Sequence, residues 1–79
     1  MNNQYIPLNS LPLDKIAKVK ALTSDGDIRR RMLDLGLISG TIVEALQKSP
    51  SGDPTAYNIR GAVIALRSEE ASKIIVETQ

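Results

Sequence analysis

The sequence contains no cysteine and no histidine. Disulfides and thiolate metal sites are therefore excluded, as is a structural zinc site of the usual Cys/His kind. The common nucleophile–base pairs of covalent catalysis are absent with them. Aromatics are nearly missing, Tyr5 and Tyr57 being the only two. Nucleic-acid-binding barrels stack bases on several exposed rings, and proline-peptide grooves are lined by aromatics. Having only two tyrosines argues against either surface. The longest apolar run, Ala62-Val63-Ile64-Ala65-Leu66, is far short of the ~20 residues that span a bilayer. No charge of one sign dominates either: ten basic and nine acidic residues leave a net charge of +1. That balance gives no global pull toward nucleic acid or an anionic membrane. The opening Met1-Asn2-Asn3-Gln4-Tyr5 has neither a basic nor an apolar leader region and does not read as a secretion signal.

What is present fits one small domain of 79 residues. Residues 1–10 read as a loosely ordered, polar leading segment, interrupted by Pro7. Residues 11–79 read as the folded domain. Ala17, Val19 and Ala21 alternate with Lys18 and Lys20, the period of a half-buried strand. Ser24-Asp25-Gly26-Asp27 matches a capping box and predicts a helix whose stripe is Ile28, Met32 and Leu35. Gly36 stands where such a helix ends in a left-handed conformation, and Gly40 in the turn that follows. Thr41 to Lys48 and Thr55 to Ile59 read as strands around the loop Ser49-Pro50-Ser51-Gly52-Asp53-Pro54, the strongest loop signal in the chain. Arg60-Gly61 predicts a tight turn or bulge, and Ala62 to Leu66 the next strand. Ser68-Glu69-Glu70 predicts a second helix start with a hydroxyl cap, and Ile75-Val76 a last short strand. Several short strands, two short helices and no βαβ spacing predict a mainly β fold, a small barrel of about five strands.

No catalytic constellation emerges. Asp25 and Asp27 are explained by helix capping, Glu69 and Glu70 by the helix dipole. Asp25-Gly26-Asp27 resembles the opening of a calcium loop, but the place of the bidentate glutamate holds Leu35 or Gly36. Ferrous iron also favours imidazole, and none exists here. No metal site and no cofactor are expected, beyond weak surface association with transition metals. Arg29-Arg30-Arg31 reads as a solvated helix face, with Asp27 and Asp34 spaced to pair with Arg31 and Arg30.

The run from Arg30 to Val43, with Leu35-Gly36-Leu37 leading to a Gly40 turn and a strand, resembles the FeoA-type signature. Pro50-Ser51-Gly52-Asp53-Pro54 is similar to that family's Pro-x-Gly-Asp-Pro loop. Arg60-Gly61 and Ala62 to Arg67 resemble its glycine turn and following strand, and Ser68 to Ile74 its last helix. The match runs in order from about Leu11 to Val76. Ser39 stands where the family often has proline, and Ala62 where it often has an aromatic.

The resemblance implies an SH3-like barrel and a non-enzymatic cytoplasmic protein. Its partner would be the cytoplasmic domain of the GTP-binding ferrous iron permease FeoB, which it would bind and regulate, peripheral to the membrane only through that permease. Nucleic acid is not expected as a partner. Weak self-association is left open. The residues expected to contact the partner are Arg29, Met32 and Leu33 on the first helix and Pro50, Gly52, Asp53 and Pro54 in the loop, since loops and exposed apolar residues on a rigid barrel carry function. Gly36, Gly40 and Gly61 are expected to serve as structural turns. Two rivals remain: the SH3-like accessory domain of a metal-dependent transcriptional regulator, for which this chain holds no helix-turn-helix, and a small nucleic-acid-binding barrel.

Overall fold

A computed structural model describes residues 4–79. The elements run β1 (Tyr5–Pro7), a 3-10 turn (Leu8–Ser10), β2 (Ile16–Leu22), α1 (Gly26–Asp34), β3 (Ile42–Lys48), β4 (Thr55–Ile59), β5 (Ala62–Leu66), α2 (Ser68–Ala71) and β6 (Ile74–Thr78). The strands form one antiparallel sheet in the order β1-β6-β2-β3-β4-β5. The period-two pattern explains which side faces in. Ala17 and Val19 of β2, Val43 and Ala45 of β3, Tyr57 and Ile59 of β4, and Ile74 and Val76 of β6 are all buried. Leu8, Met32, Leu37 and Leu66 fill the centre from outside the regular alternation. At ~25 cal/mol per Å² of apolar surface, this cluster is the main term holding the chain folded.

The sheet has six strands, not about five. The addition is β1, which pairs Tyr5 with Glu77 and Pro7 with Ile75. Three residues containing a proline are too short to show a period, so only the pairing with β6 reveals this strand. Leu8 follows it fully buried, so the leading segment is tied down from residue 4 onward. The rest of the expected loose segment, residues 1–3, lies outside the described residues.

Both helix starts differ from expectation. α1 is capped by Asp25, with no side-chain bond, rather than by Ser24. Ser24 turns inward and its buried Oγ has no hydrogen-bond partner among the described residues. Helix α1 therefore starts one residue late for the capping box. Ile28 swings out to 47% exposure while Met32 stays fully buried. α2 is capped at Arg67. Ser68 is its first helical residue, and its hydroxyl accepts a bond from Asn9 Nδ2 at 3.1 Å instead of capping. The helix ends at Ala71, and Ile74 already belongs to β6.

The stranded hydroxyl makes a prediction. An unsatisfied buried polar group costs free energy that deleting it recovers. Ser24→Ala should leave the urea midpoint unchanged or raise it. A loss near the ~1 kcal/mol of a typical cap would mean that Ser24 caps the helix in solution.

Candidate functional site

The exposed side of α1 carries the first group of candidate residues. Gly26, Arg29, Arg30, Leu33 and Asp34 line a shallow depression of about 350 Å³. Leu33 is 38% exposed there, an apolar side chain sharing the lining with Arg29 and Arg30. Arg29 is held in place from below, its Nη1 donating to the Leu22 carbonyl at 3.2 Å. Met32 is not part of this surface. Its side chain is fully buried, because helical spacing from Leu35 puts it on the core side. Its expected role as a contact residue is corrected to core packing.

The charges on α1 are arranged differently from the local pairing expected. Arg31 pairs with Glu70 of α2, not with Asp27, and among the described residues no ion pair joins Arg30 to Asp34. Burial pushes the Glu70 carboxyl up, but the Arg67 N–H, donating at 3.0 Å, and the Arg31 and Arg67 guanidiniums outweigh it, and the net shift is downward. A depressed folded value stabilises above the unfolded pKa, and that contribution is lost as pH falls through the folded value. With Arg31 about half exposed, its size is modest. Ile28 borders this junction, beside Glu69, Glu70 and Lys73.

The loop of residues 49–54 carries the second group. Pro50, Ser51 and Gly52 are exposed, while Asp53 and Pro54 are half-buried. The loop is stitched from within: Ser49 Oγ and Ser51 Oγ both donate to the Asp53 carbonyl, at 2.8 and 3.0 Å. The Asp53 carboxylate does not close its own turn. It reaches α2, accepting the Ser68 N–H at 2.8 Å, with Arg67 Nη1 3.8 Å from its other oxygen. Loop and α1 thus both anchor on α2. Nothing local in the sequence marks Glu70 or Ser68 as their anchor points, since the contacts span 39 and 15 positions.

The turn glycines fall where the backbone is left-handed: Gly36 at φ +97°, Gly40 at +94° and Gly61 at +87°. Arg60, at φ +54°, joins Gly61 in a two-residue turn between Ile59 and Ala62. Both central residues having positive φ is the type I′ arrangement that matches strand twist.

Among the described residues no three acidic, histidine or cysteine side chains gather to hold a metal ion. Among the same described residues no helix is long and apolar enough to cross a membrane. What the surface offers is a half-exposed leucine with a basic rim and a braced loop, the materials of a protein contact.

Comparison with known proteins bears on the family and the fold. A family model described as the FeoA domain matches residues 6–78. The Fe(2+) transport protein A/Fe(2+) transporter FeoB fusion protein of Porphyromonas gingivalis is 33% identical over 70 residues, covering 89% of this chain and 8% of that protein. The chain thus spans less than a tenth of that relative. The solution structure of an FeoA-like protein from Clostridium acetobutylicum is 35% identical, with a TM-score of 0.87 over 99% of this chain and 90% of that one. The zinc-complexed FeoA of Stenotrophomonas maltophilia, described as an SH3 domain protein, is 32% identical, with a TM-score of 0.79 over 87% of this chain and 86% of that one. The six-stranded sheet is therefore of the SH3-like kind.

Proposed function

The chain belongs to the FeoA family, and from that premise we propose that it is a non-enzymatic, cytoplasmic accessory module that binds the cytoplasmic part of a FeoB-type ferrous iron permease and adjusts its activity. The observation that carries this reading is the Porphyromonas fusion, in which a similar domain shares one polypeptide with a FeoB transporter. Fusing two modules raises the effective concentration of each for the other, a benefit only where the two make contact. On this chain the contact is assigned to the α1 depression around Leu33, with the Pro50, Gly52, Asp53 and Pro54 loop as a second patch. Leu33 supplies buried apolar area and Arg29 and Arg30 a charged rim that steers approach.

The test is binding of the purified permease cytoplasmic domain, with and without guanine nucleotide. Leu33→Asp should weaken it by at least about tenfold, as for a central contact residue. Arg29→Glu should weaken it less, and by a factor that shrinks as salt is added. Both variants are checked for an unchanged melting temperature. Folded variants that bind at wild-type strength would remove α1 from the interface.

A further inference from the structure

The two edges of the sheet are unlike each other. β1 is three residues long and ends in Pro7, which limits its use as a template for another strand. β5 is five residues, Ala62-Val63-Ile64-Ala65-Leu66, without a charge or a proline, and among the described strands only β4 pairs with it. Val63 on this edge is 69% exposed.

The hairpin fixes which backbone groups are free. A two-residue turn closes on a hydrogen-bonded pair, here Ile59 and Ala62. Pairs alternate along an antiparallel ladder, so Tyr57–Ile64 and Thr55–Leu66 are also hydrogen-bonded. Val63 and Ala65 then turn both N–H and C=O outward. A strand with two such residues flanking a central one is complementary to itself.

We propose that β5 pairs with β5 of a second copy of this chain, antiparallel about a twofold axis through Ile64. In that register Val63 lies opposite Ala65 of the other copy, and Ala65 opposite its Val63, so both outward residues exchange hydrogen bonds in each direction. Ala62 lies opposite Leu66, and Ile64 opposite Ile64, so all five residues are matched. Charge selects the same register. Arg67 falls opposite Gly61 and Arg60 opposite Ser68, and no arginine faces an arginine. The interface is isologous and closes at two copies. A lone strand pair is smaller than the ~1,200–2,000 Å² of a standard interface, so the dimer forms only in concentrated protein. It uses neither Leu33 nor the 49–54 loop, and is independent of permease binding.

Analytical ultracentrifugation of the full chain over a concentration series, with amide exchange followed by NMR, tests this. The mass should climb toward twice the monomer and stop there. The Val63 and Ala65 amides should slow with concentration, while that of Ile64, already bonded to β4, should not. Val63→Lys combined with Ala65→Lys sets like charges opposite each other at both positions and should hold the protein monomeric. Val63→Lys combined with Ala65→Glu sets opposite charges there and should restore the dimer. A monomer at every concentration overturns the proposal. So does growth beyond two copies, association that leaves Val63 and Ala65 exchange unchanged, or a doubly lysine-substituted chain that still dimerises. Should a variant lose its native spectrum, the wild-type exchange data decide alone.

Discussion

Met32→Ala should cost about 2–5 kcal/mol of folding stability, the range for truncating a buried methionine. The side chain is fully buried among the core residues. A chain of this length has roughly 4–12 kcal/mol to lose, so the urea midpoint should fall by a large fraction. Met32→Leu, nearly the same volume, should cost under about 1.5 kcal/mol. The pair of variants separates packing from recognition. If Met32 only packs, any loss of partner binding by Met32→Ala tracks the unfolded fraction, and Met32→Leu binds normally. An unchanged midpoint for Met32→Ala would mean that the side chain is not enclosed.

Gly36→Val should be the most damaging of the glycine substitutions. The backbone at Gly36 has φ +97°, where a β-branched residue is strained by about 1–3 kcal/mol. It cannot relax freely, because its N–H donates to the Leu33 carbonyl at 2.9 Å and its carbonyl accepts Thr41 Oγ1 at 2.8 Å. A Cβ there would also stand 2.7 Å from Arg60 Cδ. Gly61, at φ +87°, has open space instead, so Gly61→Val should lose only the backbone part. The clash can be isolated with a double-mutant cycle by melting. Arg60→Ala should recover part of the loss from Gly36→Ala and none of the loss from Gly61→Ala. Equal melting temperatures for Gly36→Val and wild type would show that this turn is not left-handed in solution.

Much of the sheet was legible because its signal is local. Alternation placed Ala17 and Val19 on the inner face without knowledge of their neighbours, although Ala21, expected on the same face, is exposed past a register shift after Val19, and turn chemistry located Gly36 and Gly61. The misreadings share a cause: they depended on what lay across the fold. Ser24 and Asp27 have capping-box spacing, but the chain enters α1 with Asp25 extended and buries the serine. Ile28 has core spacing with Met32, yet it borders the groove beside Glu69, Glu70 and Lys73 and is left half-open. Arg31 had a partner four residues away and took one from another helix instead. For the candidate site, Leu33 lies outside the expected stripe of Ile28, Met32 and Leu35, of which only Met32 is fully buried. The link from Asp53 to Ser68 was invisible, since a carboxylate in a loop gives no sign of which distant N–H it will accept.

The position of β6 has a consequence for the order of events in the cell. The last strand of the sheet lies between the first two, pairing Ile6 with Val76 on one side and Val19 with Val76 on the other. While the polypeptide is being synthesised, β1 and β2 have no direct bond to one another, and their shared neighbour is translated after every other strand of the sheet. Strands β2 to β5, each paired with its neighbour in sequence, can assemble early from local contacts, whereas β1 waits for Ile74–Thr78 to leave the ribosome. Completion depends on closing a loop of nearly the whole chain, the slow kind of step in β-rich folding. A nascent chain halted before Ile74 would leave β1 without a strand partner and β2 paired on its β3 side alone, and ribosome-stalled lengths should turn protease-resistant only once Ile74–Thr78 has emerged.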